Sequence, residues 1–164
     1  MKAPDPAELE KLAVRVGALL LANGQKLATA ESCTGGWVAQ SLTAISGSSE
    51  WFERGFVTYS NDAKCEMLGV TEQTLVQHGA VSEPTAIAMA VGALQHSKAD
   101  WTLAITGIAG PTGGSLEKPV GTVCFAWAGP DQALSAETCR FLGDRQMVRL
   151  LSVVHALNGL LQRA

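Results

Sequence analysis

Ser32 stands in the stretch Thr29-Ala30-Glu31-Ser32-Cys33-Thr34-Gly35-Gly36, where an apolar, β-leaning run (Lys26 to Ala30) gives way to hydroxyl residues and two glycines before a helical pattern begins at Trp37. The carboxyl end of a strand is where ligand sites form in open α/β sheets. The N–H groups of a helix start just beyond it favour anions. Two more polar clusters follow apolar, strand-like runs: Tyr59-Ser60-Asn61-Asp62-Ala63-Lys64, and the segment from Thr106 to Ser115 with Gly107, Gly110, Gly113 and Gly114. If these strands run parallel, the three clusters share one rim. The chemistry such a rim suggests is a serine nucleophile with a lysine base, which requires a lysine pKa lowered by burial or by nearby positive charge. No histidine adjoins a strand-end serine with an acidic partner, so Ser-His-Asp catalysis is poorly supported. The Ser-x-x-Lys spacing is absent as well. The glycine-rich loop lacks the Gly-x-x-x-x-Gly-Lys-Ser/Thr pattern of a triphosphate loop.

Each of these residues also has a structural reading. Ser32 or Thr34 can simply cap a helix, Lys64 can be a solvated lysine on a short helix, and Thr106 can be a β-branched strand terminus. The loop Gly107–Pro119 can be a plain crossover, although 13 residues of structureless loop in a compact fold are more often functional. On residues alone, the choice for Ser32 between cap and nucleophile stays open.

The elements that must hold these residues follow from periodicity. Leu9, Leu12, Ala13, Val16, Leu19 and Leu20 recur at helical spacing, with Asn23-Gly24 as a stop. A strand is expected over about 26–31, a helix over about 35–46 closed by Gly47, and a strand from Phe52 to Tyr59. Ser60-Asn61-Asp62 is N-cap chemistry for a short helix to Leu68, stopped by Gly69. Thr71–Gln77 reads as another short helix and Glu83–His96 as a longer one with Pro84 near its first position. Trp101–Thr106 is a strongly apolar strand. Val120–Ala128 and Ala133–Phe141 form a hairpin across Gly129-Pro130-Asp131-Gln132. The last helix begins near Gly143-Asp144 and is expected to bury Met147, Leu150, Leu151, Val154 and Leu161. Alternating strands and helices with a late hairpin give an α/β fold: a three-layer α/β/α sandwich with a mixed, mostly parallel sheet and a C-terminal antiparallel hairpin, in a single domain over 1–164.

Bulk properties narrow the function. Of 164 residues, 47% are hydrophobic and 16% charged, and the net charge of −3 is the wrong sign for a nucleic-acid or membrane-surface protein. No apolar run reaches the roughly 20 residues of a membrane span. Met1-Lys2-Ala3-Pro4-Asp5-Pro6 lacks the hydrophobic core of a signal peptide, so a cytoplasmic setting is expected. Cys33, Cys65, Cys124 and Cys139 form no Cys-x-x-Cys pair, and His78, His96 and His155 are scattered. Free thiols and no metal are therefore expected. Four tryptophans exceed what a small core usually needs, which points to one or two at a subunit interface, although tryptophans at a ligand rim would explain the same excess.

Ala30–Gly36, Gly55–Asn61, Gly79–Ser82, and Gly107–Pro111 through Lys118–Val123 together resemble the CinA C-terminal domain family, the nicotinamide-nucleotide amidases, in its stand-alone form. The motifs occur in the family's order from the first helix to the last. The resemblance implies hydrolysis of the carboxamide of nicotinamide mononucleotide to nicotinate mononucleotide and ammonia, in pyridine-nucleotide recycling, without a cofactor and in a homodimer. The family serine falls on Ser32 and its lysine on Lys64, with Tyr59 and Thr106 in the surrounding polar shell. On this reading Ser32 attacks the amide carbon, Lys64 relays the proton, and capping passes to Thr34. Backbone groups around Gly35-Gly36 or the 107–114 loop are expected to hold the oxyanion. Arg145 is the leading phosphate ligand, and Ser48 a further contact. The family's larger members carry an additional amino-terminal domain, so activity housed there is expected to be absent; position 112 is Thr where many relatives have an acidic residue. The competing expectations are a non-catalytic nucleotide-binding module and an amidase acting on another small amide.

Overall fold

The structure, a computed structural model, describes residues 6–164. Its elements are α1 (Pro6–Asn23), β1 (Leu27–Glu31), α2 (Trp37–Thr43), β2 (Phe52–Val57), α3 (Asn61–Leu68), α4 (Glu72–His78), α5 (Glu83–Gln95), β3 (Trp101–Gly107), β4 (Thr122–Ala128), β5 (Leu134–Arg140) and α6 (Arg145–Leu161), with single 3-10 turns at Ser48–Glu50 and Pro130–Gln132. The sheet order is β2-β1-β3-β4-β5. β1 pairs in parallel with β2 and β3, while β4 is antiparallel to both β3 and β5. The chain thus steps from β1 to β2 on one side, then crosses back to β3 on the other. Ligand crevices form at the carboxyl ends of strands where the order reverses in this way. Ser32 and Thr106 lie at those ends.

The two faces of the sheet differ in side-chain size. On one face Leu27, Leu103, Ile105, Val123, Phe125 and Trp127 meet α1, α2 and α6. On the other, Ala30, Ala104, Cys124, Ala126 and Ala128 meet α5 through Ala86, Met89, Ala90 and Ala93. Small residues let α5 sit close to the sheet, and Gly92 lets α5 sit close to α3: a Cβ there would lie 2.0 Å from the Leu68 carbonyl oxygen. Because both faces are covered, β1, β3 and β4 are buried almost throughout, as their near-continuous apolar runs require.

Sequence signals place most boundaries within a few residues, and three differences are informative. The helix expected from 35 begins at Trp37, because residues 32–36 are consumed by a turn. On α6 the buried apolar side chains are Val148, Val153, Ala156, Leu157 and Leu160, with Ser152 and Gly159 buried beside them, whereas Met147, Leu150, Leu151, Val154 and Leu161 are half-buried. α6 is apolar around much of its circumference, so spacing admits either face, and packing on Phe125 and Trp127 selects one. Gly159 makes this possible, since a Cβ there would meet the Trp127 ring at 2.1 Å. Finally, Trp51, Trp101 and Trp127 are buried core residues, and Trp37 alone among the tryptophans is half-buried. No described helix is long and apolar enough to cross a membrane.

Candidate active site

The turn after β1 explains how Ser32 is presented. Its N–H donates to the Ile105 carbonyl (3.0 Å), which continues the β1–β3 ladder one residue beyond Glu31. The chain then reverses: the Gly35 N–H returns to the Ser32 carbonyl (3.0 Å), and Gly35 (φ 61°) and Gly36 (φ 95°) adopt the left-handed conformation that glycine tolerates. The Trp37 N–H closes on the Thr34 carbonyl at 3.1 Å. Neither Ser32 nor Thr34 caps α2. Gly36 occupies the cap position without a side-chain bond, and the Thr34 hydroxyl is buried without a partner. The fully buried Glu31 does the capping instead, its carboxylate accepting from the N–H groups of Val38 (2.9 Å) and Ala39 (3.0 Å). An acid here satisfies two orphan donors and opposes the positive helix end. The anion site expected at this helix start is therefore filled by the chain itself.

Arg149 secures the turn from the side of α6. It donates to the carbonyls of Cys33 (3.1 Å) and Thr34 (2.9 Å), and its guanidinium lies 5.3 Å over the Trp37 ring. Burial pushes the Cys33 thiol up to about 12, so it stays protonated beside the serine.

Lys64 arrives from α3. The Ser60 hydroxyl oxygen accepts from the Ala63 N–H at 3.0 Å, fixing the helix start so that Lys64 and Leu68, one turn apart, face inward. Lys64 is 1% exposed, and its Nζ donates to Ser32 Oγ and to the Thr58 carbonyl, each at 3.1 Å. No carboxylate lines the cleft around it among the described residues. Burial without a counter-charge lowers its pKa below the usual lysine value. Packing thus places an amine of lowered basicity against a serine hydroxyl.

The remaining walls come from β3 and α6. The Thr106 hydroxyl is buried and donates to the Ala80 carbonyl at 2.7 Å, holding the segment before α5 against the cleft. Asp144 caps α6, and Arg145 at its first position donates to Tyr59 Oη (3.0 Å) and to the Gly110 carbonyl (2.8 Å). Tyr59, the chain's only tyrosine, is 62% exposed at the mouth. Gly110 has φ 82°, and a Cβ there would strike Val120 at 2.5 Å.

The result is a cleft of about 270 Å³ that brings together Ser32, Lys64, Tyr59, Thr106, Gly107 and Arg145. Gly110 joins it through the carbonyl that anchors Arg145. Thr34, Gly35 and Gly36 line a neighbouring depression with Trp37 and Arg149 instead. Gly113 and Gly114 fold against Ile108 and Val120, outside the cleft lining. Ser48 lies beyond the far end of α2, next to the amino end of β2, at the opposite end of the parallel strands from Ser32. Sequence reasoning overlooked Glu31 and Arg149 as supports of the turn, and Asn61 as a cleft-lining residue. Of these Arg149 carried a usable signal, being one helical turn beyond Arg145 and so on the same face.

The family model of the CinA C-terminal domain matches residues 9–164. The chain is 56% identical over 158 residues to the nicotinamide-nucleotide amidohydrolase PncC of Escherichia coli K12, covering 96% of this chain and 95% of that one. It is 53% identical over 154 residues to the protein of the same name from Enterobacter agglomerans, covering 94% of each. Among solved structures, the competence/damage inducible protein CihA from Agrobacterium tumefaciens superposes with a TM-score of 0.93 at 46% identity, covering 99% of this chain and 98% of that one.

Proposed function

The chain belongs to the CinA C-terminal domain family, and we propose that it hydrolyses the carboxamide of nicotinamide mononucleotide to nicotinate mononucleotide and ammonia. The observation that carries the mechanism is the 3.1 Å contact between the buried, counter-ion-free Lys64 amine and Ser32 Oγ. With Lys64 neutral, its lone pair takes the Ser32 proton as Oγ bonds to the amide carbon. The ammonium then protonates the departing nitrogen, leaving an ester on Ser32 and free ammonia. Water, deprotonated by the same amine, breaks the ester, and the proton returns to Ser32. No cofactor enters this sequence.

The names of the relatives supply the substrate class, and the cleft agrees with it. Within the turn, the N–H groups of Gly35, Trp37, Val38 and Ala39 are already engaged. Cys33, which lines the cleft immediately after the nucleophile, is thus the turn's candidate oxyanion donor. Arg145 at the mouth suits the phosphate, presented by Tyr59 and the Gly110 carbonyl. Thr106 positions the 79–81 wall. The whole site sits on one sheet and its flanking helices, which supports a single-domain unit. Four unpaired cysteines support a cytoplasmic setting, and the half-buried Trp37 beside Leu9 and Leu150 supports a homodimer contact, to be checked by light scattering.

Ammonia release from nicotinamide mononucleotide tests the reading. Ser32→Ala should abolish it with an unchanged circular dichroism spectrum. Retained release would remove Ser32 as nucleophile, and activity on nicotinamide or asparagine but not on the mononucleotide would replace the substrate.

A further inference from the structure

On the far edge of the sheet β5 alternates, so Ser135, Glu137 and Cys139 pair with Trp127, Phe125 and Val123 and face α6. There they meet His155. The Nε2 atom of His155 lies 3.0 Å from Glu137 Oε1 and 3.4 Å from Cys139 Sγ, and the three atoms all fall within 4.8 Å of one another. Scattered spacing argued against such a cluster, but it arises because two residues of one strand and one of the following helix face each other.

We propose that Glu137, Cys139 and His155 form a binding site for a divalent transition cation of the zinc class. The geometry excludes the obvious alternative for a Cys-His-acid group. A nucleophilic relay uses both ring nitrogens, one toward the thiol and the other toward the acid. Here thiol and carboxylate meet the same nitrogen, which is how ligands converge on a shared centre. Ligands about 2.0–2.3 Å from a tetrahedral cation stand about 3.3–3.6 Å apart. The two pairs at His155 Nε2, 3.0 and 3.4 Å, are therefore within a few tenths of an ångström of that spacing, and the thiol and carboxylate, within 4.8 Å of each other, close further on binding. A thiolate and a carboxylate together match the charge of a dication, which would displace Arg163 Nη2 from its 3.7 Å approach to Glu137 Oε1, and the mixed S, N and O donors suit zinc or cobalt over magnesium or calcium.

The surroundings are organised for the purpose. The His155 ring is fixed by Phe125 at a centroid distance of 4.6 Å and by Phe141 and Trp127 farther out. The Glu137 and His155 side chains remain 40% and 31% exposed, leaving an open side for a water as fourth ligand. On binding, the Cys139 S–H bond breaks, the thiolate sulfur takes up the cation and the proton leaves to solvent. The ion would tie the sheet's edge strand to α6, whose first residue, Arg145, reaches the Ser32 cleft. Three strand spacings, about 14 Å, separate the two sites across the sheet, and they lie on opposite faces. The role is stapling, independent of the hydrolytic chemistry.

The test uses chelator-stripped full-length protein titrated with Zn²⁺ by calorimetry and with Co²⁺ by absorbance. Expected are one ion per chain, a thiolate-to-cobalt charge-transfer band, and a Tm that rises with Zn²⁺. Cys139→Ser and His155→Gln should each weaken binding more than about tenfold, while Cys65→Ser leaves it unchanged. Should either variant fail to fold, the cobalt spectrum of the unsubstituted protein still decides. Absence of the thiolate band, or Zn²⁺ binding undiminished in Cys139→Ser, would overturn the proposal and leave only a hydrogen-bonded cluster.

Discussion

Substituting Lys64 by methionine removes a buried amine while keeping the length and most of the volume of the side chain. Two opposing local effects make its stability at any single pH hard to use. The amine's hydrogen bonds to Ser32 Oγ and Thr58 are lost, about 1 kcal/mol each with the Thr58 carbonyl left short of a partner. Against this, the cost of burying a basic group without a counter-charge disappears. The pH dependence separates them, because only the second effect involves protons.

The folded-state pKa of Lys64 lies below its ordinary value of 10.5, owing first to burial. Between the lowered pKa and 10.5 the unfolded chain holds the Lys64 proton and the folded chain does not. Unfolding therefore takes up one proton, and wild-type stability gains about 1.4 kcal/mol per pH unit from this group as pH rises through the window. Below the window both states are protonated and the full penalty stands; above it the contribution is flat. Lys64→Met lacks the slope, so the difference between the two urea-unfolding free energies, measured across pH, should rise and then level off. The activity profile supplies an independent reading, since kcat/KM reports ionisations of the free enzyme. Ammonia release by the wild type should rise with pH around the same lower inflection, and the variant should lose about 10²–10⁴-fold in kcat. Parallel stability curves for the two proteins would refute the claim that Lys64 is a buried, depressed amine. A stability difference that rises as expected, with an activity inflection at a different pH, would refute Lys64 as the base.

Arg145→Met should raise the KM for nicotinamide mononucleotide about ten- to a hundredfold, the worth of a charge-assisted bond of about 1.5–3 kcal/mol, with kcat changed far less; an unchanged KM places the phosphate elsewhere. Gly92→Ala drives a Cβ to 2.0 Å from the Leu68 carbonyl oxygen, a backbone atom that cannot rotate away. A loss of about 3 kcal/mol and about 6–12 °C in Tm is expected, and a normal melting curve would show that the α3–α5 contact is looser than described. Glu31→Gln leaves one of two buried N–H groups at the start of α2 facing an amide donor, at about 2–4 kcal/mol for the lost charge and the unpaired donor. Chemical denaturation should register it together with a fall in kcat, because the same turn presents Ser32; a loss below about 0.5 kcal/mol would mean that α2 is capped by other means.

Much of this arrangement was legible because its signals are local. Ser60, Thr71, Ser82 and Asp144 each cap the helix that follows through their own side chains, and a hydroxyl or carboxylate just before a helical run can be read directly. The same locality located Ser32 and Thr106 at strand ends and Lys64 on the short helix that follows β2, and parallel pairing then brought their elements to one rim. What escaped reading is non-local. Glu31 caps α2 from seven residues upstream, so the expected cap at Thr34 was a sound inference about the wrong distance. The choice of buried face on α6 depends on Gly159 admitting Trp127, an accommodation between residues on different elements. Ser48 looked like a site residue because it follows a glycine stop, but a stop at the end of α2 is by construction a full helix away from the rim.

The unequal faces of the sheet tie these observations to the chemistry. Burying Lys64 without a counter-charge requires that its helix be pressed into the protein against an unfavourable desolvation term. The alanines of β1, β3 and β4 let α5 settle close to the sheet, and Gly92 lets α3 settle close to α5; the helix carrying Lys64 is thereby held where its amine reaches past Thr58 to Ser32. The opposite face, built from Leu103, Ile105, Phe125 and Trp127, anchors α6 and with it Arg149 and Arg145. One face therefore supplies the depressed amine and the other supplies the cations that hold the turn and the mouth of the cleft. Filling the small-residue face with larger side chains should consequently damage hydrolysis through Lys64, with Arg145 still able to engage the phosphate.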